Sequence, residues 1–181
     1  MSSKRLSNPS GDGEFRIIPL GGCSEFGMNS TLFLTNTQTL QIDCGIMFPN
    51  QDLLGVDAIV PEINELLKNF HKVDAYVFTH GHEDHIGGIV DRFREHRAPI
   101  YAPAWASELL LGKFTDKEQK AVRKHLTVVS AGDIVEIGEI TVEYVHMNHS
   151  IPDAMGLYIR YKEQSFFHSG DFKIDPKSTH E

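Results

Sequence analysis

The chain is short of cysteine, short of basic residues, and without a long apolar run, and each shortage removes a class of protein. Its only cysteines are Cys23 and Cys44, and they do not form a Cys-x-x-Cys pair. A disulfide framework and a four-cysteine zinc site are both excluded, and the two thiols are expected to be small buried residues. No apolar stretch approaches the ~18 residues that a membrane helix needs. The first ten residues are polar and carry Lys4 and Arg5 rather than the apolar core of a secretory leader. The expectations are therefore cytoplasmic residence, no membrane association and a disordered tail over residues 1–14. Lysine and arginine number 17 against 25 acidic residues, a formal charge of −8. That balance lacks the basic stripe of an ordinary nucleic-acid surface. What remains, at 181 residues with 40% hydrophobic and 23% charged side chains, is one globular domain long enough to bury a proper core.

The patterning places strands first, then helices alternating with strands, then strands again. Phe15–Leu20 reads as a strand, followed by a glycine-bearing loop, Gly21–Asn29. No helix pattern follows that loop, which argues against a dinucleotide fingerprint and for a tight turn beside the site. Ser30–Thr35 and Thr39–Asp43 form a hairpin, and Ile46–Ile59 has no clear period and reads as a long ordered loop. Helices are predicted at Glu62–Phe70 with Pro61 in its favoured place, at Ile86–His96, at Ala104–Leu111 and at Asp116–His125. The last begins with the capping-box pattern Thr115-x-x-Glu118. Val73–Phe78 is almost continuously apolar, as a strand buried on both faces would be. Further strands fall at Pro99–Ala102, Leu126–Val129, Ile134–Ile137, Ile140–Val145, Leu157–Tyr161 and Ser165–His168. The order predicts an α/β protein with helices covering at least one face of a mixed sheet.

The chemistry concentrates in Thr79-His80-Gly81-His82-Glu83-Asp84-His85, between a strand and a helix. Turns draw on Gly, Asn, Asp, Ser and Pro for backbone reasons, and three histidines in seven residues have no such reason. Imidazole and carboxylate are preferred ligands of zinc-like divalent ions. Three other candidates also follow strands: Asp43 before Gly45, His149 in His146–Asp153, and Asp171 after His168-Ser169-Gly170. Strand ends on one edge of an α/β sheet lie close in space. Such a number of imidazoles and carboxylates exceeds the needs of one ion and suits a two-metal hydrolytic site. Two divalent ions would also bring the charge from −8 to about −4. His71, His96, His125 and His180 read as surface residues, and His146 as a strand residue near the site. His168 reads equally as a supporting or a packing group, and Glu83 as a neighbour of the ligands rather than one of them.

The order Asp43, then His80-x-His82-x-Asp84-His85, then His149, then Asp171 resembles the metallo-β-lactamase fold superfamily. Flanking words narrow the resemblance: Ile18-Pro19-Leu20-Gly21-Gly22, Asp43-Cys44-Gly45 with Met47-Phe48-Pro49, His149-Ser150-Ile151-Pro152-Asp153, and Gly170-Asp171-Phe172-Lys173-Ile174-Asp175. Together they are similar to bacterial and archaeal ribonuclease J, of the RNA-acting β-CASP branch, from about Phe15 to Pro176. The resemblance implies an αββα sandwich, with residues 15–181 supplying the first half to two-thirds of it. The C-terminal strands and the β-CASP domain are then absent, and a fragment or truncated product is expected.

The resemblance also implies roles. His80, His82 and His149 bind a first metal, Asp84 and His85 a second, and Asp171 bridges them. Asp43 supports the cluster from behind or near the second metal, and Asp43, Asp84 and Asp171 are the catalytic candidates that hold the metals and orient the water. The cofactor expected is a pair of Zn2+ ions, with Mn2+ or Mg2+ as alternatives, activating a water for attack on an RNA phosphodiester. Ser150 is equally a phosphate donor or a turn residue. In the family a histidine from a later strand completes the second metal, and β-CASP histidines contact phosphate. The partner expected is RNA, with homo-oligomers at full length. The alternatives are another hydrolase of this fold, acting on a thioester, a lactone or a glyoxalase II-type substrate, and a non-catalytic metal-stabilised interaction module.

Overall fold

A computed structural model describes residues 9, 11–49, 54–68 and 72–174. Of the predicted tail, residue 9 and residues 11–14 are described, while residues 1–8 and 10, His71, His180 and the end of the helix predicted to reach Phe70 lie outside the described residues. Six strands form one sheet in the order β1 (Arg16–Gly21), β2 (Ser30–Leu34), β3 (Thr39–Ile42), β4 (Ala75–Val77), β5 (Ile100–Pro103), β6 (Leu126–Val129). The pairs β1–β2 and β2–β3 are antiparallel, and β3 through β6 run parallel. A second, wholly antiparallel sheet has the order β10 (Gln164–His168), β9 (Met155–Tyr161), β8 (Ile140–His146), β7 (Ile134–Ile137).

The period of two along each strand decides the layering. In β2, Leu32 and Leu34 face one core while Phe33 faces another, and in β4 Tyr76 opposes Ala75 and Val77 in the same way. The first core lies between the six-stranded sheet and the helices, with Ile86, Ile89, Phe93, Leu110 and Val122 packed on Leu32, Tyr76 and Ile100. The second lies between the sheets, where Phe33, Leu40, Ile42 and Val77 meet Val142, Tyr144, Leu157 and Tyr161. Two hydroxyls tie this seam: Tyr144 donates to the Tyr101 carbonyl and Tyr161 to Asn36 Oδ1, both at 3.1 Å. Among the described residues the arrangement is helix layer, sheet, sheet, with no helix packed in the core between the sheets. The expected α/β sandwich is present to that extent. No helix among the described residues is long and apolar enough to cross a membrane.

Several expectations are corrected. The single helix predicted from Ile86 to His96 is two, α2 (Glu83–Ile86) and α3 (Ile89–Glu95). The break follows from competition for a donor: the Gly88 N–H bonds to the Cys44 carbonyl at 2.7 Å instead of continuing the helix. The helix predicted at residue 62 is reduced to α1 (Asn64–Leu67), because Glu62 Oε1 takes the Asn64 N–H at 2.6 Å just before it. After α4 (Ala104–Gly112), α5 (Asp116–Val122) begins with the predicted capping box, but it stops three residues before His125. His125 and His96 are half-buried rather than surface residues; His125 lies edge-on to Phe93 and His96 bonds Asn64. Cys44 is buried as expected, but Cys23 is exposed, because the Gly21–Asn29 loop lies on the surface.

Candidate metal centre

The site forms where four strands end on one edge of the sandwich. β3 leads directly into Asp43, β4 leads into Thr79–His85, β8 leads into the loop that carries His149, and β10 leads to Asp171. The Met155 N–H donates to the Thr79 carbonyl at 2.9 Å and joins the two sheets beside the site. The Lys173 N–H donates to the Asn148 carbonyl at 2.8 Å, which holds the segment after Asp171 against the His149 loop.

One ligand atom from each of His80, His82, His149 and Asp171 lies within 4.8 Å of the others. The nitrogens crowd most: His80 Nε2 is 3.0 Å and His149 Nε2 3.2 Å from His82 Nδ1. The His80 tautomer follows from its neighbours. Thr79 Oγ1 gives its single proton to Asp43 Oδ2 at 2.8 Å, so its contact with His80 Nδ1 at 3.0 Å requires the imidazole N–H to donate. His80 Nε2 is thereby left as a bare lone pair aimed at the cluster. Burial, with a positive His85 nearby, pushes the His80 pKa down to about 3 and keeps that ring neutral.

Asp84 and His85 stand beside this group. His85 Nε2 lies 3.4 Å from Asp171 Oδ1 and 3.8 Å from Asp84 Oδ2, and makes no hydrogen bond although it is buried. Its other nitrogen, Nδ1, donates to Asp43 Oδ2 at 2.7 Å. Burial disfavours charge on His85, but Asp43 and Asp171 outweigh it and raise its pKa to about 10. Burial likewise acts to raise the Asp43 pKa, and the charge and hydrogen bond of His85 outweigh it and hold the carboxyl below its ordinary value. The close contact with His85 at 3.4 Å, against partial burial, lowers Asp171 to about 2. The carboxylates thus favour positive charge at His85 Nε2, where the chain itself supplies only a proton.

This donor set fits divalent ions. Ligands of a tetrahedral zinc, about 2.0–2.1 Å from the ion, stand about 3.3 Å from one another. The imidazole separations of 3.0 and 3.2 Å are of that size. The unpartnered His85 Nε2 adds a second opening, flanked by Asp84 and Asp171.

Asp43 is 1% exposed and lies behind His85. Its φ of 55° is in the left-handed region, a conformation costing roughly 1–2 kcal/mol outside glycine. The turn aims both carboxylate oxygens inward: Oδ1 accepts the Thr79 N–H at 2.9 Å, and Oδ2 accepts from Thr79 and His85. Ser150 is exposed on the His149 loop, and His146 is exposed at the end of β8. Glu83 turns away to an ion pair with Lys113, whose Nζ is 2.6 Å from Oε2. His168 is half-buried, and burial lowers its pKa.

Two site residues received no role from the sequence. Thr79 connects Asp43 with the histidine rings, and its place at the head of the motif was the available signal. Asn29 Nδ2 donates to Asp84 Oδ2 at 3.0 Å, while the Asn29 N–H donates to the Asp84 carbonyl at 2.9 Å. Only its position at the end of the glycine-bearing loop hinted at this.

Comparison with known proteins agrees with the fold. The family model described as "Beta-lactamase superfamily domain" matches residues 39–181. Ribonuclease J of Thermus thermophilus is 38% identical over 166 residues, which cover 88% of this chain and 29% of that protein. Ribonuclease J of Helicobacter pylori is 36% identical over 160 residues, covering 88% and 23%. That of Synechocystis is 39% identical over 162 residues, covering 88% and 25%. The chain therefore spans about a quarter of the length of these curated relatives. Among solved structures, a protein of unknown function from Enterococcus faecalis superposes with a TM-score of 0.66 at 18% identity, covering 88% of this chain and 44% of that one. The Rm3 metallo-beta-lactamase superposes with a TM-score of 0.56 at 17% identity, covering 92% and 61%. With its strand-end histidines and aspartates on a two-sheet sandwich, and with a family match over most of its length, the chain belongs to the beta-lactamase superfamily.

Proposed function

We propose that this chain is the metal-binding part of a ribonuclease that hydrolyses RNA phosphodiester bonds with two divalent cations, zinc first among them. The observation that carries the reading is the convergence of His80, His82, His149 and Asp171 beside a buried, unpartnered His85 Nε2. RNA as substrate is supported by the similarity to proteins named ribonuclease J.

His80, His82 and His149 would hold one ion, Asp84 and His85 the other, with Asp171 between them. When bound, such a pair supplies Lewis-acid polarisation and brings the pKa of a water towards neutrality. The chain's own residues set the geometry. Thr79 fixes the His80 tautomer, Asp43 orients His85, and Asn29 restrains Asp84. Asp171 would help orient the attacking water, and Ser150 would donate to a phosphate oxygen.

The test is RNA degradation by the longest natural form of the protein with zinc or manganese, beside a thioester substrate. RNA loss abolished in a folded His80→Ala, His82→Ala double variant is the expected result; an unchanged rate sinks the proposal. Turnover of the thioester alone would favour another hydrolase of this fold.

Metal removal gives a second measurement. Zinc at about a hundredfold its Kd should stabilise the chain by about 2.7 kcal/mol. For a domain of this size that raises the thermal midpoint by about 5–10 °C. Chelator should reverse the rise, and the double variant should not show it. About two ions per chain on elemental analysis agrees with the catalytic reading, and one or none favours a non-catalytic module.

A further inference from the structure

Two buried polar side chains near the site are left without a task by the ligand assignment. Gln41 in β3 and Ser30 in β2 are 1% and 3% exposed. Burying an amide and a hydroxyl is unfavourable unless hydrogen bonds compensate. Theirs run in one direction. Gln41 Nε2 donates to Ser30 Oγ at 3.0 Å, and Ser30 Oγ donates to the Asp43 carbonyl at 3.0 Å. Gln41 Nε2 also approaches that carbonyl directly, at 3.5 Å. The other end of the amide, Gln41 Oε1, is buried and makes no hydrogen bond. An apolar side chain would fill the same space without leaving an oxygen unpaired, so the donating end is what distinguishes glutamine at this position.

The accepting carbonyl belongs to the residue whose backbone is left-handed. Returning Asp43 to an extended conformation would swing its carbonyl away from Ser30 and its carboxylate away from Thr79 and His85. Conformations of this kind persist only where the surroundings over-determine them. Here the Asp43 N–H is taken by the Val77 carbonyl at 3.0 Å, the next N–H by the His85 carbonyl at 2.7 Å, and the Asp43 carbonyl by Ser30. Ser30 also lines, with Asp43, His85 and Asp171, a cavity of about 100 Å³.

We propose that Gln41 and Ser30 are positioning residues: acting in series on the Asp43 carbonyl, they hold the turn that aims Asp43 Oδ2 at His85 Nδ1 and so directs His85 Nε2 into the metal centre. The inference rests on the functional reading only for what His85 binds; the aim of the ring is a property of the chain.

The test compares Gln41→Leu, Ser30→Ala, Ser30→Thr and the Gln41→Leu, Ser30→Ala double variant. In the metal-free chain the His85 Nδ1 proton, bonded to a buried carboxylate, should give a low-field, slowly exchanging proton signal, assigned by ring-15N labelling. That signal should disappear or move upfield in Ser30→Ala and Gln41→Leu and survive in Ser30→Thr, which keeps the hydroxyl. In cobalt titrations followed by visible absorption, the weaker binding step should lose ~10–100-fold in affinity while the tighter step is kept. Because Gln41 reaches the carbonyl through Ser30 at 3.0 Å and directly only at 3.5 Å, the double variant should be little worse than Ser30→Ala alone. An unchanged signal in both single variants, or effects that simply add, overturns the proposal. So does a fall in thermal midpoint with the signal intact. A wild-type chain that takes up no second cation would fail the functional reading instead, while the proton signal still decides the relay.

Discussion

Replacing Asp43 with alanine should cost the metal-free chain about 3–5 kcal/mol of stability, the usual effect of removing one partner from a buried ion pair. The size follows from what the carboxylate satisfies. Both oxygens are used, by the Thr79 N–H, the Thr79 hydroxyl and His85 Nδ1, at 2.7–2.9 Å. Without them His85, 2% exposed, keeps a buried nitrogen with no acceptor, and its unpartnered Nε2 has lost its restraint. Denaturant unfolding measures the loss. Asp43→Asn separates charge from shape: asparagine tolerates the left-handed backbone and keeps one carbonyl oxygen for His85, but its other side is an NH2 group. It should recover part of the stability and little of the second cation's affinity. An alanine variant as stable as wild type would show that the Asp43–His85 pair is not the support described.

Gly45→Ala should be almost as damaging, for a steric reason. A Cβ built on Gly45 falls inside the van der Waals envelope of the Asp84 carbonyl carbon and oxygen and lies 2.6 Å from the Asn29 nitrogen. All three are backbone atoms, so no side-chain rotation gives relief. The same atoms are joined by hydrogen bonds: Gly45 N–H to the Asn29 carbonyl at 2.8 Å, and Asn29 N–H to the Asp84 carbonyl at 2.9 Å. Alanine must push the loop after β3 away from α2 and break this stitching. Overpacking of a well-packed interior costs typically about 1–3 kcal/mol, and a backbone collision belongs at the upper end. The displacement also moves Asp84, so cation affinity should fall together with stability. A variant with wild-type stability and metal uptake would contradict the close approach.

The candidate site residues are legible in the sequence because they follow strand ends and because three of them are histidines crowded into one turn, a residue type with no backbone reason to be there. Asp43, His80, His82, Asp84, His85, His149 and Asp171 are all visible in this way, as is the strand β4 (Ala75–Val77), from the almost continuously apolar run Val73–Phe78. What supports them was not visible. The link from Thr79 to Asp43 spans 36 positions and depends on a left-handed φ at an aspartate, which no local pattern announces. Asn29 reaches Asp84 across 55 positions. The break between α2 and α3 arises because a carbonyl from a different segment, Cys44, captures the Gly88 N–H. The exposure of Cys23 depends on where a loop lies, not on the preference of the residue type. In each case the deciding partner is distant in sequence, and periodicity is a local signal.

The donors of the first cluster are divided between the sheets, His80 and His82 after a strand of one, His149 and Asp171 after strands of the other. An ion held by all four would act as a rivet across the seam. The packing of one sheet on the other and the occupancy of the centre then become a single thermodynamic variable, and coupling of this kind is reciprocal. Whatever shears the sheets, whether a core substitution at Tyr144 or a load on β10, loosens the ion. Filling the centre would in turn stiffen a sandwich whose two halves already meet at that edge through the Met155–Thr79 hydrogen bond.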